Sequence, residues 1–230
     1  MKKDVIIIAF ICFLFTGCSN TVSLKTETIT ISDKTKEWEI DVVYTQFSSS
    51  DDKVQQSYNK LNLEIQHFVD SLQNDFKTSA SGFFNSLEDI ERERPDWKCP
   101  FMAKDTIFMA NDRYVSIRFA TYTFLGGANG LNKYYAFNYD VQNQRFLSKE
   151  DILDSTSQIK INNLLEKDFK NPFSCFTQMP AFDNVTTINI APNDIFFTYE
   201  QYVLGARVCG DYQTFIPKEE LGISLKLKDL

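Results

Sequence analysis

Few residues of this chain can carry covalent chemistry. Metal-assisted hydrolysis commonly uses two or three His around an open coordination position, and here His67 stands alone. It lies on the opposite side of a helical stretch from Ile65 and Leu72, where it faces water. The same scarcity weakens a Ser-His-Asp triad and a His-activated thiol, and no G-x-S-x-G turn is present. Glu150-Asp151 and Glu219-Glu220 could form the carboxylate pair that glycoside hydrolysis requires. Both pairs stand at helix starts, where acidic side chains complement the helix dipole. Gly126-Gly127-Ala128-Asn129-Gly130 lacks the Lys and Ser/Thr of a phosphate loop and the G-x-G-x-x-G spacing, and it precedes a strand. It reads as a tight connection in which Gly supplies positive φ. No cofactor and no metal are expected.

Binding chemistry is better provided for. The chain has 21 Phe and 10 Tyr, and Tyr134, Tyr135, Phe137 and Tyr139 cluster on one strand. Aromatic rings fill sheet cores, stack on sugars or anchor a protein partner. Residues 199–205 join two strands, and loops carry function more often than strands. Asn129, Tyr134, Tyr199 and Tyr202 are the expected contact residues. The formal net charge of −7 disfavours nucleic acid and a polybasic membrane grip.

The N-terminus supplies an address. Lys2 and Lys3 precede a short apolar run that closes on Phe15-Thr16-Gly17-Cys18. The run is too short to span a bilayer, which takes about 20 residues, and its flanks suit a processed export signal. It resembles a bacterial lipoprotein signal in which Cys18 is lipidated. The expected location is the cell envelope, lipid-anchored at the outer membrane or a periplasm-facing membrane. Cys99, Cys175 and Cys209 then remain, enough for one disulfide and one free thiol. The sequence does not choose the pair.

The elements that position these residues follow from periodicity. Residues 28–31 and 38–47 alternate as two strands around a turn at Ser32-Asp33-Lys34. Val54, Tyr58, Leu61, Ile65, Phe68, Leu72 and Phe76 mark one face of an amphipathic helix, with a second helical piece after Gly82. A mixed-charge run at 88–94 ends at Pro95. Strands are predicted at 101–109, 114–124, 131–139, 186–190, 195–199 and 207–216. Short helices are predicted after Ser148, over 159–169 and from Pro217, with an edge strand at 223–227. The sum is an α+β fold of antiparallel sheets, with one long amphipathic helix in the N-terminal half and shorter helices in the C-terminal half. The expected divisions are a signal at 1–17, a tether at 18–28, an N-terminal subdomain at 29–97 and a C-terminal domain at 98–230.

An ordered series of blocks gives a resemblance. Residues 114–124, Gly126-Gly127-Ala128-Asn129-Gly130, Ala136-Phe137-Asn138-Tyr139-Asp140 and 146–153 run in sequence. Phe196 to Gly205 and Phe215-Ile216-Pro217 to Leu221 follow. The series is similar to the extracytoplasmic domain of unknown function shared by RsiV-type anti-sigma factors and PdaC-type deacetylases. It covers roughly residues 112–221, and the preceding part looks like the companion domain found in PdaC. Asn129 stands where that family usually has His. The resemblance implies a sensing module for a lysozyme-like protein or cell-wall peptidoglycan-type glycan, without the deacetylase domain. The expected function is a non-catalytic, lipid-anchored binding protein; a carboxylate-based glycan hydrolase and a structural envelope lipoprotein are the alternatives.

Overall fold

The computed structural model describes residues 23–87 and 98–227. The signal at 1–17, Cys18, the charged run at 88–94 and Pro95 lie outside the described residues.

β1 (Leu24–Lys34) and β2 (Trp38–Ser49) form an antiparallel hairpin. Its turn falls at Thr35-Lys36-Glu37, later than the sequence suggests. The Thr35 hydroxyl accepts from the N–H groups of Glu37 and Trp38 at 3.1 Å each, a side-chain turn that replaces ladder bonds. Ser32 and Asp33 stay in the strand, where Ser32 donates to Asp41 at 2.9 Å and Asp33 pairs with Lys77 at 2.7 Å. Residues 24–28, expected as tether, are sheet.

α1 (Asp52–Asn85) starts at Asp51, whose carboxylate accepts from the N–H groups of Lys53 and Val54 at 2.9 and 3.0 Å; this is a strong N-cap. The helix runs unbroken through Gly82, because Ala80 and Phe84 on either side are both buried against the sheet. Tyr58, Leu61, Ile65, Val69 and Phe76 face inward, with Phe68 and Leu72 on the flank. His67 is exposed.

α1 returns the chain to β3 (Cys99–Ala110), which lies parallel to β2 with Cys99 opposite Trp38. β4 (Tyr114–Thr123), β5 (Leu131–Asp140) and the two-residue β6 (Arg145–Phe146) continue antiparallel. The result is a six-stranded sheet in the order β1-β2-β3-β4-β5-β6. The boundary expected at residue 97/98 passes between paired neighbours of this sheet. Residues from both sides of it, such as Ile40, Leu61, Phe101 and Phe119, share one core under α1.

The C-terminal part builds a second core on the other face. α2 (Lys149–Ile152) has a capping box between Ser148 and Asp151. α3 (Gln158–Lys167) buries Ile161 and Leu165 but leaves Ile159 in solvent. β7 (Thr187–Ile190), β8 (Asp194–Tyr199) and β9 (Tyr212–Pro217) form a three-stranded antiparallel sheet, followed by α4 (Lys218–Leu221). The strand expected from residue 207 begins only at Tyr212, because Arg207–Cys209 is a 3-10 turn ending at Gly210 with φ 78°. The expected edge strand at 223–227 reduces to one bridge, Leu225 to Leu153, since Gly222 at φ 52° starts a 3-10 turn.

A buried polar network fastens the two sheets. Ser116 on β4 donates to Asn138 Oδ1 at 2.6 Å, and Asn138 Nδ2 donates to the Ile188 carbonyl at 2.7 Å. Asn189 Nδ2 donates to Ser116 Oγ and to the Ile117 carbonyl, and the Ile190 N–H closes on the same hydroxyl at 2.9 Å. Asp140 holds the following turn by accepting from the Asn143 N–H at 3.0 Å. The Phe137-Asn138-Tyr139-Asp140 block is therefore architecture. No described helix is long and apolar enough to cross a membrane.

Candidate functional site

The β4–β5 connection and the long β8–β9 loop meet at one end of the molecule. Gly126 and Gly127 have φ of 85° and 90°, and an added Cβ at Gly126 would strike the Phe83 ring. Glycine is thus required twice over here, by conformation and by close approach. The loop is stitched to its neighbour by Arg207, whose guanidinium donates to the Gly130 carbonyl. Glu200 Oε1 accepts from the Tyr134 N–H at 2.7 Å.

The β8–β9 loop is held from its far side. Cys175 and Cys209 form the disulfide, leaving Cys99 as the buried free thiol, pushed up to about 11 by burial. The N–H groups of Thr177 and Gln178 both donate to the Leu204 carbonyl, at 2.8 and 2.9 Å. Gly205 packs directly on the Cys175 carbonyl at 3.0 Å from where a Cβ would lie. Between the two loops opens a cleft of about 580 Å³, lined by Asn129, Gln201, Tyr202, Ala206, Arg207 and Val208.

Its rim is apolar and its backbone is constrained. Tyr202 is 64% exposed and Val208 90% exposed. Tyr202 is held at φ 73°, a conformation that costs a non-glycine residue about 1–3 kcal/mol and persists only where the surroundings impose it. Phe173, at φ 63° beside the disulfide, is fully exposed.

Of the four expected contact residues, Asn129 and Tyr202 come together in this cleft. Tyr199 does not: it is completely buried, and its hydroxyl donates to the Ala181 carbonyl at 3.2 Å. The alternation of β8 turns Tyr199 into the second core. Tyr134 points onto the sheet face away from α1, its ring 5.1 Å from the Arg118 guanidinium. Burial and the nearby Asp211 carboxylate push its hydroxyl up to about 12. Arg118 itself donates to Thr198 at 2.6 Å and Gln213 at 3.0 Å. Arg207 and Val208 were missed, because residues 207–216 read as a continuous strand. Cys209 next to them was the usable signal, once its pairing is known.

One acid of each carboxylate pair is engaged elsewhere. Asp151 caps α2 by accepting from the Ser148 N–H, which with Arg145 lowers its pKa. Glu220 pairs with Lys167 at 3.0 Å. Among the described residues no group of three His, Cys, Asp or Glu is placed to hold a metal.

This architecture is shared with known proteins. Residues 31–132 match the family model described as deacetylase PdaC, a stretch that runs from β1 into β5 and so across the 97/98 position. A DUF3298 family structure from Bacteroides fragilis matches with a TM-score of 0.63 at 14% identity, covering 90% of this chain and 95% of that one. A second, from Pseudomonas aeruginosa PAO1, matches with a TM-score of 0.58 at 16% identity, covering 89% and 95%. No curated protein matches the chain. Residues 31–132 are thus similar to the PdaC family, and the chain as a whole has the fold of DUF3298 family proteins.

Proposed function

We propose that the chain is a non-catalytic binding and sensing module of the cell envelope, anchored by lipid on Cys18, whose ligand seats in the cleft between Asn129 and Val208. The observation that carries this reading is the pinned rim. The loop that carries two exposed apolar side chains, Tyr202 and Val208, is tied down by a disulfide and by Arg207. Preorganised aromatic anchors of this kind concentrate binding energy in protein interfaces. A purely structural envelope protein would need neither the cleft nor the exposed tyrosine.

The partner best suited is a basic, lysozyme-like protein. The chain carries a net charge of −7, and opposite net charge speeds encounter and favours the complex at low salt. Titration with lysozyme and, separately, with soluble peptidoglycan fragments tests this. Replacing Tyr202 and Val208 together by alanine should weaken the complex at least about tenfold, the scale of a lost anchor, without changing thermal stability. Binding of neither probe at low salt, or binding indifferent to both substitutions, would reject the reading. Cys18→Ser should move the expressed protein from the membrane fraction to the soluble fraction; retention in the membrane fraction would count against the lipid anchor.

A further inference from the structure

A different surface carries a second kind of recognition. β6 pairs only with Tyr139 and Asp140 of β5, so among the described residues the outer edge of β5 before them has no strand beside it. The Tyr134 N–H donates outward to Glu200, and the Asn138 carbonyl accepts from the Leu147 N–H at 2.8 Å. By the alternation of an antiparallel ladder, residues 134, 136 and 138 therefore direct their backbone groups away from β4. Ala136 lies between these two capped positions. Its outward N–H and carbonyl have no partner among the described residues, although the residue is half-buried.

These groups open onto a groove of about 470 Å³. One wall is aromatic: the Phe68 ring of α1 stands edge-on to Tyr135 at 5.0 Å and Phe137 at 4.9 Å. The other wall is Thr186, Thr187 and Ile188. Lys149 is the one charged lining residue; it lies over the Phe182 ring at 4.9 Å and has no ion pair with a described carboxylate.

We propose that this groove binds an extended peptide segment, which adds as a short strand to β5 at Ala136. An apolar side chain seats against Phe68 and Phe137, and an acidic side chain faces Lys149. The open N–H and carbonyl of this one half-buried strand residue call for a partner with the same spacing, which a peptide backbone has. The lone lysine selects an acidic residue on that segment. The self-repulsion of acidic chains disfavours a second copy as the occupant. The site shares no residue with the cleft of Tyr202, so the two proposals stand or fall separately.

Linear heptapeptides displayed on phage, selected against the full chain, provide the probe. Selected peptides should carry alternating apolar positions with an acidic residue, and should slow amide hydrogen exchange at Ala136. Ala136→Pro removes the outward N–H and no ladder bond to β4, at an edge position where proline is tolerated, and should weaken these peptides about tenfold or more, as expected for a lost hydrogen bond. Should that variant fold poorly, exchange at Ala136 in the unaltered chain decides the matter. Several results would overturn the proposal: no enriched peptide, no added protection at Ala136, binding abolished by Tyr202→Ala, or dimerisation of the chain in place of peptide binding.

Discussion

Asn138→Ala should lower the unfolding free energy by about 3–5 kcal/mol, because it strips two bonds from a buried network and leaves their partners dry. Ser116 Oγ loses its acceptor, and the Ile188 carbonyl loses its donor. Both sit between the sheets, where Asn138 is 5% exposed and Ser116 fully buried, so water cannot readily replace what is lost. Asn138→Asp separates the causes, since it keeps the shape and the acceptor but turns the donor into a second acceptor facing a carbonyl. Denaturant titration of both variants is the check. A loss below about 1 kcal/mol for the alanine, the ordinary cost of a point substitution, would mean that the network does not hold the sheets together.

Removing the disulfide has the second large effect. Cys175 and Cys209 are separated by 34 positions, and the chain-entropy estimate for a loop of that size is about 3–4 kcal/mol. Cys175→Ser with Cys209→Ser should show that loss, and reductant should produce the same shift in the unaltered protein. The substitution should also release residues 200–210 and weaken the proposed ligand more than Tyr202→Ala does alone. Cys99→Ala is the control: its thiol is buried in the first core, away from the cleft, and binding should survive. Equal thermal stability with and without the bridge would contradict the first expectation, and unchanged affinity the second.

What could be read from the sequence had strong local causes. Period-four-and-three spacing from Val54 to Phe76 announces α1, and alternation with β-branched and aromatic residues announces β3, β4 and β5. Ser148 as an N-cap announces α2. Failures occur where tertiary contacts decide. Gly82 stays helical because Ala80 and Phe84 are anchored on the sheet, something no local propensity reports. The 97/98 boundary missed the pairing of β2 with β3, which joins residues about sixty positions apart. Tyr199 and Tyr202 look alike in the loop sequence, yet strand alternation buries the first, while the second sits at φ 73° and projects outward. The cleft itself was half legible: Asn129 and Tyr202 come from its two loops, but the disulfide that brings Arg207 and Val208 to them depends on a pairing no spacing specifies.

The parallel register of β2 against β3 also bears on the order of folding. The β1–β2 hairpin and the β3-β4-β5 meander each form from neighbours in sequence, and each can do so early. Joining them requires the 34 residues of α1 to span the gap first, a closure whose entropic cost is met before its contacts form. The seam between Trp38 and Cys99 is therefore expected to close late, and stopped-flow refolding of variants along it is the check. Until it closes, the inner edges of β2 and β3 stay open, and this is the interval in which the newly made chain is most exposed to strand-to-strand aggregation.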